Sequence, residues 1–329
     1  MSAALLVRTL RDPASVGALD AEGWNRLLAA ARAERLIGTL AYRLECVALP
    51  DAVRPILDDA RRDSGREAQQ ALWEADRAAQ ALRGVDVKLV LLKGAAYVAA
   101  GLRAGQGRFI GDLDILVPRD AMSAVERALI AAGWEWVKED PYDDAYYRQW
   151  MHELPPMIHV DRDRMIDVHH TILPLTARQT ADAAAMIADA IHITNGLYIL
   201  SVEDRIVHSV AHMLADGDMQ GGLRNLWDIY CLLPDADTAA LAARAAHHGL
   251  AAHVRQAQRL ARAIYGAGAR LTLWDGLVRA RLLARDGWGR ESRKLLVFAF
   301  FVRSHWLRMP PLMLARHLLT KWRKGHRPQ

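Results

Sequence analysis

Cysteine is nearly absent: Cys46 and Cys231 are the two in 329 residues, far apart and without a CxxC neighbour. That excludes a disulfide framework and a thiolate zinc signature, and makes a reducing compartment, the cytoplasm, the expected one. Long apolar runs are missing too. The run Leu295 to Val302 is flanked by Lys294 and Arg303, far short of the roughly twenty residues that span a bilayer, and reads as a buried or interfacial helix. Near the N-terminus, Leu5-Leu6-Val7 meets Arg8, Arg11 and Asp12 too soon to build the core of a signal peptide. Neither a transmembrane segment nor export is expected. No internal repeat, low-complexity segment or long polar tract interrupts the chain, so disorder is expected at the ends if anywhere.

What is present is a helix-rich, globular composition: 52% hydrophobic residues, much of it alanine, and 25% charged. The length allows two modest domains or one core with helical additions. The formal charge of +5 is unevenly spread, because residues 285–329 hold eleven Lys or Arg against Asp286 and Glu291, a local net of +9 that leaves the rest at about −4. Such a tail suits contact with a polyanion or an anionic membrane surface, although solubility alone also accounts for it. Its end, Lys321-Trp322-Arg323-Lys324-Gly325-His326-Arg327, mixes basic residues with Trp beyond the break at Pro310-Pro311.

Four segments are expected: a helical region over 1–83, a β-containing core over 84–175, a helical region over 176–284 and a basic helical tail over 285–329. In the core, Val85 to Leu92 reads as a buried strand ending at Lys93-Gly94, and Phe109 to Val117 as a second strand stopped by Pro118. A helix from Asp120 to Ala132 closes at Gly133, and further strands are expected at Trp134–Val137, Met157–Val160 and Arg164–His170. Beyond Ala177 the pattern is mostly helical, with a short strand near Tyr198–Leu200 and a helix starting at Ser201 that carries His208 and His212.

The chemistry sits in Gly111-Asp112-Leu113-Asp114-Ile115-Leu116-Val117. Strand side chains alternate, so Asp112 and Asp114 project together while Leu113, Ile115 and Val117 face the other way. Two carboxylates held side by side repel unless a cation sits between them, and a hard divalent metal such as Mg²⁺ takes oxygen ligands of this kind. Asp167, inside Met165-Ile166-Asp167-Val168-His169-His170, is a third acid in a strand interior, where Asp is disfavoured. Three carboxylates on neighbouring strands can hold two metals for attack of an acceptor hydroxyl on a phosphorus.

These segments resemble the nucleotidyltransferase superfamily of DNA polymerase beta type, and within it a bacterial family of uncharacterised nucleotidyltransferases. The resemblance rests on Leu91-Leu92-Lys93-Gly94, Arg108, the Gly111 to Val117 strand, Ala132-Gly133-Trp134 and Ile166-Asp167-Val168-His169. It extends more weakly to His208–His212 and Leu223–Ile229, so that residues 85–233 are covered. It implies an α+β fold: a mixed β-sheet flanked by helices, with helical N-terminal and C-terminal regions. It also implies Asp112, Asp114 and Asp167 as catalytic metal ligands, Asp167 doubling as a base, and two Mg²⁺ ions, or Mn²⁺ in their place. Lys93 and Gly94 would form the turn that approaches the nucleotide phosphates, with Gly111 beside it. The wider superfamily usually has Gly-Ser at this turn, whereas here Ala95 follows Gly94; Lys93 or Arg108 would supply the missing phosphate contact.

Each motif has a plainer reading. An acid-x-acid pair alone is commonly a solvated strand edge; the Lys-Gly turn and the third Asp favour the metal. His208 and His212 are four apart but lack the glutamate of a metalloprotease motif, so a packed pair is expected. His169 shares a face with Asp167 and can support a metal shell, which His170 cannot. Arg224 and Asp228 stand at helical i,i+4 spacing and can simply pair. Gly105 and Gly107 lack the helix and third glycine of a dinucleotide motif. The expected activity is transfer of an NMP from an NTP, ATP foremost, to a hydroxyl or phosphate acceptor. A catalytically silent nucleotide-binding module beside biosynthetic enzymes, and a toxin that modifies tRNA or protein, are the alternatives.

Overall fold

The computed structural model describes residues 2–308 except Glu139 and Asp218. Of the basic helical tail expected over 285–329, the part beyond Arg308 therefore lies outside the described residues. Four helices come first: α1 (Ser2–Arg11), α2 (Ala21–Ala33), α3 (Ile37–Arg43) and α4 (Arg54–Ala81). Asp20 caps α2 by accepting from the Gly23 amide at 2.8 Å. The long α4 starts with Pro55 in its first turn and buries Leu57, Ala60, Ser64, Ala71, Ala75 and Ala78, a stripe at three- and four-residue spacing.

One mixed sheet follows, with strand order β3-β4-β5-β2-β1-β7-β6. Its strands are β1 (Leu89–Leu91), β2 (Asp112–Leu116), β3 (Trp134–Trp136), β4 (Met157–His159), β5 (Met165–His169), β6 (Ile191–Thr194) and β7 (Leu197–Ile199). Between them run α5 (Lys93–Ala99), α6 (Met122–Ala131), α7 (Pro141–Trp150) and α8 (Ala183–Ala188). β2 is antiparallel to β1 and parallel to β5. β1 is buried along its whole length, as suits a strand covered on both faces.

Both central strands are shorter than their apolar runs. The amides of Val85 and Val87 bond locally to Leu82 and Val85 carbonyls, so the backbone enters the ladder only at Leu89. On the second strand, the Ile110 amide donates to Glu67 Oε2 at 3.3 Å on α4 rather than to a neighbouring strand. The other difference is an extra hairpin. Asn195 and Gly196 take φ of 49° and 77°, the left-handed pair of a primed two-residue turn, and join β6 to β7. β7, at the place of the short strand expected near Tyr198–Leu200, lies parallel to β1, and β6, which was not expected, adds the sheet's edge from chain read as mostly helical.

The remaining helices are α9 (Val202–Val210), α10 (Gly222–Leu232), α11 (Thr238–His247), α12 (Ala251–Ile264), α13 (Leu273–Leu282) and α14 (Lys294–Arg308). Ser201 caps α9 as its position predicts, and α9 runs into a π-helical turn over Ala211–Asp216. One buried cluster runs from Leu6 on α1 through the sheet to Ile264 on α12. Among the described residues no helix is long and apolar enough to cross a membrane.

Candidate active site

β2 and β5 pair in parallel with Asp114 opposite Asp167. Alternation then places Asp112 on the same face one step along β2, while Leu113 and Ile115 are buried on the other. The sheet thus brings together the three acids singled out from the sequence: each offers an oxygen, all within 4.8 Å of one another. Asp112 is exposed, Asp167 half-buried and Asp114 buried.

Lys93 closes on this face from the end of β1. The Leu92 amide bonds the Asp114 carbonyl at 3.0 Å, and the chain then turns through Lys93 at φ 44°, a conformation uncommon for a side chain with a Cβ. Its Nζ reaches Asp114 Oδ1 at 2.6 Å. His169 Nε2 lies 3.1 Å from the same oxygen, and its Nδ1 is 3.4 Å from Glu153 Oε2. The His152 ring stacks on His169 at 5.1 Å between centroids.

Charge in this cluster is unevenly matched. Burial alone raises a carboxyl's pKa, yet Lys93 and His169 outweigh it and hold Asp114 far below the usual carboxylate range. Burial lowers an ammonium's pKa, and Asp114, then Asp112 and Asp167, reverse that for Lys93. His169 is likewise raised against its burial by Asp114 and Glu153. Asp167 goes the other way: burial, then the negative charges of Asp114 and Glu153, push it up to about 7. His208, which the sequence suggested would be packed, is buried; that burial, with the nearby charges of Lys93 and His169, drives it down to about 3, so it stays neutral. In direct contact four carboxylates thus face one ammonium and one imidazole, while Arg108, paired with Asp228, acts on Asp114 and Asp112 from farther off; a surplus of negative charge remains. An all-oxygen donor set with negative charge to spare fits a hard divalent cation.

The remaining candidates fall into a different network. Arg108 forms an ion pair with Asp228 and lies over the Tyr97 ring at 5.7 Å. Gly94 has no side chain because Arg108 occupies the space: a Cβ there would stand 2.6 Å from Arg108 Nε. Asp228 also accepts from Arg224 Nη2 at 2.6 Å, the i,i+4 pair expected from the sequence, and Arg224 Nη1 goes on to Thr39 Oγ1 at 2.5 Å. Gly107, at φ 67°, lies where a Cβ would come within 2.3 Å of the Gly38 backbone, so its glycine serves the crossing of α3 over this loop. Gly111 has open space where a side chain would be. A cavity of roughly 1110 Å³ lies at the other end of β2 and β5, lined by residues that include Arg119, His170 and Tyr198, and holds none of the three acids.

Glu153 and His152 were not foreseen. They sit in an irregular loop where Glu153 bridges to His169, and nothing in their local sequence marks them. The Arg108–Asp228 pair joins positions 120 residues apart, beyond any local pattern.

A mixed sheet that presents three clustered carboxylates on adjacent parallel strands, closed by a Lys-Gly turn, has the form of a nucleotidyltransferase core. The chain belongs to the uncharacterised nucleotidyltransferase family, whose model matches residues 20–266, from the start of α2 to just past α12. Comparison with curated proteins gives no match.

Proposed function

We propose that the chain transfers a nucleoside monophosphate from an NTP, ATP foremost, to a hydroxyl or phosphate acceptor with release of pyrophosphate. One observation carries this: the β2–β5 register that sets Asp114 beside Asp167 with Asp112 on the same face. Asp112, Asp114 and Asp167 would hold Mg²⁺, two ions by the resemblance, or Mn²⁺. When bound, the metal neutralises triphosphate charge and makes an acceptor hydroxyl a better nucleophile. Lys93 keeps Asp114 ionised within the sheet and His169 fixes the orientation of its carboxylate. Lys93 and Arg108, the two side chains named for phosphate contact, are each paired with a carboxylate, Asp114 and Asp228, and of the two it is Lys93 that bonds directly to an acid of the cluster, where metal-bound phosphate would come. The exposed Asp112 opens the cluster to a ligand from solvent.

The test offers purified protein each labelled NTP with Mg²⁺ and a cell extract as source of acceptor. Label transfer and pyrophosphate release are expected, both lost in the Asp112→Asn, Asp114→Asn double variant; equal transfer by that variant overturns the assignment. Two observations favour the silent module instead: Lys93 already supplies Asp114 with a cation, and Ala95 stands where a phosphate-binding serine is usual. NTP binding in a calorimeter without pyrophosphate release from any acceptor would establish that reading, and turnover would eliminate it.

A further inference from the structure

α14 turns its apolar side to water. Leu295, Phe298, Val302 and Trp306 recur at three- and four-residue spacing, and Leu295 and Phe298 are 87% and 64% exposed. α13 packs against the buried side of α14 and also leaves apolar side chains in water. Its Leu273 is 94% exposed, Leu277 is exposed beside it, and Trp274 stacks on Phe300 of α14 at 5.5 Å. Soluble monomers rarely leave a contiguous apolar face of this size in water without a partner for it.

The stretch of chain that carries that face is mostly basic. Residues 270–308 carry nine Arg or Lys against three acids. Asp275 is matched by Arg259, Glu291 by Arg281, and Asp286 accepts from the amides of Trp288 and Arg290. Arg290 and Lys294, at the start of α14, are exposed. Further along the sequence, Arg316, Lys321, Arg323, Lys324 and Arg327 add more positive charge. Both helices also lie past residue 266, where the family match ends, so this surface belongs to chain beyond the shared core.

We propose that the exposed apolar face of α14 docks on the surface of an anionic lipid bilayer. Leu295, Phe298, Val302 and Trp306 enter at headgroup depth, and Arg290 and Lys294 meet lipid phosphates. The apolar run Leu295 to Val302, bounded by Lys294 and Arg303, is far too short to span a bilayer, so this face lies in the interface plane. A second copy of the chain is a poorer occupant, because a twofold contact through this face would bring two sets of basic residues together. A soluble polyanion would use the charges but not Phe298.

The test is co-sedimentation of the full chain with phosphatidylcholine vesicles, with and without phosphatidylglycerol. Binding is expected to the anionic vesicles alone, to weaken with salt, and to shift tryptophan emission to the blue. Phe298→Ser, at an exposed position, should melt like the wild type and bind roughly tenfold less tightly; Lys294→Gln should lose roughly fivefold. Three results overturn the proposal: no binding to either vesicle, a concentration-dependent dimer broken by Phe298→Ser, or binding that Phe298→Ser leaves unchanged and RNA competes away.

Discussion

Asp228 and Asp114 are both buried carboxylates that accept from cations, and the charge left over around each is opposite. Asp228 alone faces two guanidiniums, Arg108 and Arg224, and Arg224 uses further donors on Thr39 Oγ1 and the Ala104 carbonyl. Asp114 faces Lys93 and His169, but Asp112, Asp167 and Glu153 crowd the same cluster. The first network has positive charge to spare and every reason to stay closed. The second has negative charge to spare, shown by the pKa of about 7 that burial and its acidic neighbours impose on Asp167. A buried ion pair by itself does not mark a functional site; the sign of the charge that its partners fail to cancel is more informative, and here it separates an element of the scaffold from the acidic cluster for which a metal is proposed.

The largest effect that would break this contrast is on stability at Asp228. Asp228→Ala leaves two buried guanidiniums without their carboxylate and should cost about 3–5 kcal/mol in chemical denaturation; a loss near zero would mean the network is not the scaffold described. Next comes Gly94→Ala, whose Cβ would press on Arg108. Overpacking of that kind costs about 1–3 kcal/mol, and a melting curve identical to the wild type would show that Arg108 moves freely. A third buried carboxylate, Asp204, resembles Asp228. It takes two bonds of 2.6 Å from Arg244 and lies 3.1 Å from His248 Nε2, and although burial acts to raise it, these partners hold it below its ordinary value. A depressed folded pKa stabilises fully above the unfolded value of about 3.9 and the benefit is lost as pH falls through the folded one. Denaturation followed from pH 5 downward should therefore show an acid limb that Asp204→Asn flattens; parallel limbs would remove the comparison. The smallest stability change belongs to Asp112→Asn, an exposed side chain outside the ion pairs, at within about 0.5 kcal/mol.

The two networks were not equally legible in sequence. Asp112, Asp114 and Asp167 declare themselves because charged residues in short apolar strands break the alternation rule in a way that a single face explains. Lys93 was legible as part of a turn, and its grip on Asp114 follows from β1 and β2 being neighbours, which the sequence implies only through the family resemblance. Glu153 and His152 come from a loop, where no periodicity ties a residue to a place. Asp228 was read as the i,i+4 partner of Arg224, which it is; its tie to Arg108 depends on α10 packing near the loop before β2, a tertiary fact. The Asn195-Gly196 turn was written in the sequence but is easily lost inside a stretch that otherwise reads as helical.

Asp112 tests the central claim most directly, because it can be changed without disturbing the fold. With labelled NTP, Mg²⁺ and a source of acceptor, the initial rate of pyrophosphate release by Asp112→Asn should fall by at least about a hundredfold, the scale of losing one preorganised electrostatic contact, at an unchanged melting temperature. An Asp112→Asn protein that melts like the wild type and releases pyrophosphate as fast would contradict the account.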